Sequence, residues 1–139
     1  MKKIFLILLL TIFATKTIQA DEYGTPGTYS ISLSCTSLPS YSVKIPTSID
    51  ISDPSTTLTF YVKGDIYADQ ELNVVFDSTA AISCAGKNET AYISQDKSSW
   101  SCSQLTNTYD DSSISISHNE LSAGKWSGIL NVVISLQEA

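Results

Sequence analysis

The chain is predicted to be all-β, a single antiparallel sandwich of about seven to nine strands, and three observations predict it. Apolar and polar residues alternate over short stretches, the stretches recur about every ten residues between turn-forming Gly, Pro, Asn and Asp, and no amphipathic helical period interrupts them. Ser and Thr fill many of the outward positions, as expected for strands with one wet face.

Ahead of that pattern lies a segment of a different kind. Lys2 and Lys3 precede an apolar run over residues 4–13, and the small residue Ala20 closes the segment, which together predict a secretory signal peptide cleaved after Ala20. A membrane anchor is the competing reading, but it needs about twenty apolar residues, and Thr15, Lys16 and Thr17 interrupt the run. The product is therefore expected to be secreted or at the cell surface, passing the periplasm in transit, with no membrane insertion after cleavage. Residues 21–28, with two glycines and a proline, are predicted to be a flexible lead-in, and residues 29–139 the sandwich domain.

Within that domain the first stretch, Tyr29-Ser-Ile-Ser-Leu-Ser-Cys35, alternates throughout, with Tyr29, Ile31, Leu33 and Cys35 on one face and serines on the other. It is expected to be a strand. Tyr41-Ser-Val-Lys-Ile45 alternates again and stops at Pro46. After a loop holding Ile49, Ile51 and Pro54, the stretch over residues 57–63 turns Leu58, Phe60 and Val62 inward, and Gly64-Asp65 is read as a turn. Residues 71–77 contribute Leu72, Val74 and Phe76, residues 80–84 continue or bend that strand, and a hairpin turn at residues 86–88 leads into residues 90–94. Trp100 and Cys102 share a face of a serine-rich piece, residues 107–112 read as a polar loop, and Ile114-Ser-Ile116 alternates. The last stretch, residues 124–136, is expected to be a long core strand. It puts Trp126, Leu130, Val132, Ile134 and Leu136 on one face, while Ile129 and Val133 break the polar face and call for a covering neighbour or partner.

Charge removes several functions. Beyond residue 20 there are five lysines, no arginine and fourteen acids, a formal charge of −9. Without arginine forks and with an acidic surface, nucleic-acid binding is not expected, and an anionic membrane surface is disfavoured for the same reason.

The chemistry-bearing residues are scattered. Three cysteines allow one intramolecular disulfide, for which Cys84 with Cys102 is favoured because a hairpin between them can bring two segments side by side; Cys35 with either remains an alternative. On the favoured pairing Cys35 is expected to be buried as a small hydrophobe. With one histidine and no C-x-x-C unit, zinc is not expected. His118 reads as a solvated turn residue, and no constellation for catalysis stands out, so neither an enzyme nor a cofactor is expected. The acid groups Asp50 with Asp53, Asp65, Asp69 with Glu71, and Asp110 with Asp111 read as solvated turn residues, since none matches a calcium-binding loop. Asn88-Glu-Thr90 is a glycosylation sequon, relevant only in a eukaryotic host.

The stretch Ser122-Ala-Gly-Lys-Trp-Ser-Gly-Ile-Leu-Asn-Val-Val-Ile-Ser-Leu136 resembles the closing strand of bacterial fimbrial subunits and related immunoglobulin-like surface domains, in which a small-Gly-x-aromatic-x-Gly opening precedes alternating aliphatics. Tyr41-Ser-Val-Lys-Ile-Pro46 is similar to the early strand of many such domains. The resemblance implies an immunoglobulin-like or pilin-like sandwich with a structural or adhesive role and no active site. The expected function is thus a subunit of a bacterial surface appendage, with other protein subunits or a surface receptor as partners. Residues Tyr29, Ile31, Leu33 and Cys35 form the candidate strand-exchange face, because alternate side chains of an added strand enter pockets. The alternative is a secreted module recognising a carbohydrate or host protein through Tyr61, Tyr67, Tyr92, Trp100 and Tyr109.

Overall fold

A computed structural model of the chain describes Ala20, Glu22 and residues 24–139, and the signal-peptide expectation otherwise lies outside the described residues. The chain divides into two units, Met1–Cys35 and Thr36–Ala139.

In the first unit the described residues belong to no strand. The strand expected over residues 29–35 is therefore corrected. Its alternation is real, but among the described residues positions 30–35 join no ladder, and Ile31 and Leu33 are 86% and 92% exposed. Cys35, expected inside, is exposed with them. Tyr29 folds back locally, its hydroxyl donating to the backbone oxygen of Thr25.

The second unit is all-β, with nine strands in two antiparallel sheets and no helix among the described residues. The strands are β1 (Ser40–Lys44), β2 (Ser55–Asp65), β3 (Gln70–Phe76), β4 (Thr79–Cys84), β5 (Lys87–Gln95), β6 (Ser99–Ser101), β7 (Asp110–Ser117), β8 (Ser127–Gly128) and β9 (Val132–Glu138). Six of them form one sheet in the order β1-β2-β7-β5-β4-β8, and the other three form the second in the order β6-β3-β9. This is a β-sandwich, as expected.

Alternation set the inward faces of most strands. In β2, Phe60 and Val62 are fully buried; in β3 Leu72 and Val74; in β7 Ile114. Phe60 sits 5.2 Å from Phe76 and 5.9 Å, nearly edge-on, from Trp100, an arrangement that adds quadrupole attraction to area burial. The indole of Trp100 does not lose its hydrogen bond on burial, because Nε1 donates to Asp110 at 3.0 Å. Asp110 also lies 3.7 Å from the Lys97 ammonium.

Three local expectations change. Gly64-Asp65 is not a turn: β2 runs through it, and a Cβ on Gly64 would come within 2.7 Å of the Ser40 carbonyl, so glycine is there for close approach of β1. The polar stretch at residues 107–112 becomes strand from Asp110 onward, because pairing with β2 and burial of Ser112 override its composition. The hairpin sits one residue earlier than expected, where Ala85 and Gly86 both have positive φ between the paired residues Cys84 and Lys87. That is a two-residue primed turn matching the strand twist.

Where β6 stops, the exposed edge of β3 is closed by a side chain. Gln95 accepts from the Phe76 amide and donates to the Val74 carbonyl. Buried main-chain groups need such partners.

The closing stretch departs furthest from expectation. It is not one core strand. Ser127 and Gly128 pair with β4 in the large sheet, residues 129–131 cross over, and β9 pairs with β3 in the small sheet. No residue in it is fully buried: Trp126, Leu130, Val132 and Leu136 are half-buried and Ile134 is exposed. The division between two sheets leaves the apolar face incompletely covered.

Candidate functional site

The incomplete cover leaves an apolar groove of about 480 Å³ in the second unit. Its floor is made by buried residues of both sheets, among them Phe76, Ile82, Ala91 and Ile116. Its rim comes from the connection between β1 and β2, through Ile45, Ile49 and Ile51, and from the crossing stretch, through Trp126, Leu130 and Val132. The rim residues are all half-buried. A monomer that keeps such a surface open carries an interaction site or an aggregation liability.

β9 begins at this groove and is an edge strand, its ladder partner among the described residues being β3 alone. Natural edges are usually blunted by lysine, proline or a bulge. This one carries Val133, 61% exposed, and Ile134, with its one charged residue at the last position. Ile129, just ahead of it, is 78% exposed. The two residues that broke the polar face of this stretch are thus uncovered.

The candidate aromatics are distributed over the surface, except one. Trp100 is fully buried and cannot meet a ligand, which corrects its place in that set. Tyr67 and Tyr92 are exposed at separate positions, one in the β2–β3 turn and one on β5. Tyr61 and Tyr109 do come together, 6.4 Å apart and edge-on. Around Tyr109 gather Lys63 at 4.6 Å and Lys44 at 4.8 Å from the ring centroid, and Ser42 shares a hydrogen bond with its hydroxyl. That hydrogen bond, with help from the two ammonium groups, pulls the phenol below its usual pKa.

The cysteines do not pair as expected. All three are free. Cys84 ends β4 in the large sheet against Gly124, whereas Cys102 follows β6 of the small sheet and packs on the main core.

His118 also corrects its sequence reading. It is 8% exposed, and both ring nitrogens face carbonyl oxygens at 2.7 Å, Nδ1 that of Asn119 and Nε2 that of Ile51. These carbonyls, Asn119 first, raise its pKa against the opposing effect of burial. Asp50 goes the other way, held low by hydrogen bonds from the Ser52 hydroxyl and amide. Among the described residues, no three His, Cys, Asp or Glu side chains gather as a metal site.

Sequence reasoning missed the groove. A signal was present, since Ile49 and Ile51 are apolar residues in the loop between Pro46 and Pro54, where no strand was expected to bury them. Compared with family models, with curated proteins and with solved structures, the chain finds no match in any of the three.

Proposed function

We propose that the protein is a structural or adhesive subunit of a secreted bacterial surface appendage, assembled when a strand from one copy completes the sandwich of another. The observation that carries this reading is the open apolar groove beside the unpaired edge of β9. An added strand supplies main-chain hydrogen bonds to such an edge and puts alternate side chains into the groove. Residues 29–35 have the matching alternation, and Ile31 and Leu33 are exposed in the isolated chain. Export through a cleaved signal peptide is part of the same proposal.

The test uses the chain from residue 21 onward and a peptide of residues 26–38. On this reading the protein forms a ladder of higher species, and saturating peptide both suppresses the ladder and raises the melting temperature. Ligand at a hundredfold excess over its Kd adds about 2.7 kcal/mol. A cooperative monomer that neither binds the peptide nor gains stability from it overturns the reading.

The Tyr61–Tyr109 pair with Lys44 and Lys63 favours a second reading, a stand-alone module for a carbohydrate or host protein. It predicts a monomer that forms no ladder and in which Tyr61→Ala abolishes ligand capture.

A further inference from the structure

Residues 45–54 join β1 to β2 without forming a strand. Among the described residues, the hydrogen bonds tying this connection to the rest of the molecule converge on His118. Its main-chain amide donates to the Pro54 carbonyl at 3.0 Å, and its Nε2 meets the Ile51 carbonyl. Ile51 turns its side chain into the groove, so one residue carries both the tie and part of the rim.

A neutral imidazole has one N–H and one acceptor nitrogen. A carbonyl oxygen can only accept. Two carbonyls at 2.7 Å, one on each ring nitrogen, are therefore both satisfied only by the imidazolium, which carries a proton on each nitrogen. Removing either proton sets a lone pair against an oxygen in a nearly buried site, where an unsatisfied contact is costly. The titratable neighbours are Asp50 and Asp53 on the connection, Glu120 after β7, and Tyr92, which lies opposite Ser117 on β5. Asp50 is engaged by Ser52, and the ring bonds to main-chain oxygens rather than to any of these carboxylates. The charge is thus held by backbone dipoles.

We propose that His118 is a protonation-dependent latch on the groove: as imidazolium it fastens residues 45–54 as one rim, and loss of a proton releases that rim and weakens strand capture. The capture half rests on the strand-assembly reading above; the latch half does not. The folded-state pKa is raised above the ordinary 6.5. The latch is therefore fully closed below pH 6.5 and opens as pH rises through the raised value.

The experiment reads the two halves separately on the exported protein. His118 is the sole histidine, so its imidazole proton resonances can be followed by NMR across pH 5 to 10 without assignment by mutation. Amide exchange in residues 45–54, relative to β3 amides, is measured over the same range, and affinity for the residue 26–38 peptide at pH 6 and pH 9. The expected result is titration above 6.5, a severalfold excess rise in exchange confined to residues 45–54, and a severalfold loss of peptide affinity at pH 9. His118→Gln, whose side-chain amide donates at every pH and does not titrate, should flatten both pH dependences. Titration at or below 6.5, or an exchange rise that persists in His118→Gln, overturns the latch. A pH-gated rim in a protein that binds no peptide at any pH upholds the latch and defeats the assembly reading. Tighter peptide binding at pH 9 overturns the proposed direction of control.

Discussion

Trp100 and Trp126 lie in one sandwich and experience different degrees of closure. Trp100 is fully enclosed, edge-on to Phe60, with its indole N–H bonded to Asp110. Trp126 is half-buried on a groove rim, and its indole N–H reaches only the nearby Ser122 carbonyl at 2.8 Å. Around Trp100, β2, β3 and β7 supply Phe60, Leu72 and Asp110 from both sheets. Around Trp126 the large sheet has its inner face, but the chain spends its last apolar residues on a crossing and an edge strand. The comparison shows where the fold obtains its stability and where it keeps surface for something else.

The largest expected effect belongs to the closed region. Trp100→Ala should cost about 3–5 kcal/mol in denaturant unfolding, as deletion of a packed aromatic does. A much smaller loss would mean that the aromatic cluster with Phe60 and Phe76 is not the core. In the open region, Trp126→Ala and Val132→Ala should each cost about 1 kcal/mol or less in the isolated chain, since half-buried residues leave smaller cavities. The sharper expectation is that both variants lose peptide binding. Losses as large as that of Trp100→Ala would mean the groove is closed in solution.

Next comes pH. The His118 contribution to stability is fully present below pH 6.5 and disappears as pH rises through its raised folded-state value, so the melting temperature should fall across that window. Thermal unfolding of His118→Gln, parallel to wild type at every pH, contradicts this. The smallest effect on stability is expected in the first unit. Ile31→Asp combined with Leu33→Asp should change unfolding by about 0.5 kcal/mol or less, as exposed substitutions do, while eliminating the ladder of higher species. Cys35 gives a companion check: it should be alkylated before Cys84 and Cys102 in the isolated chain and become protected on assembly.

The alternation of Phe60 with Val62, of Leu72 with Val74, and of Ile114 with Ile116 was legible because side-chain direction in an extended chain is a local property with period two. Class, strand spacing and most inward positions followed from it. The same rule assigned residues 29–35 to a strand and could not say whether anything would pair with them, since hydrogen-bond partners in a sheet come from distant sequence. It gave Trp126, Leu130 and Val132 a common face but not the crossing at residues 129–131, which leaves Trp126 and Leu130 outside both sheets and starts β9 at Val132. His118 looked like a turn residue because its composition is that of a turn; its burial arises from Ile51 and Pro54, far away in the chain. Local sequence determined which side chains needed cover. Tertiary structure decided which received it, because cover depends on the order of strands across two sheets and on which edge is left last.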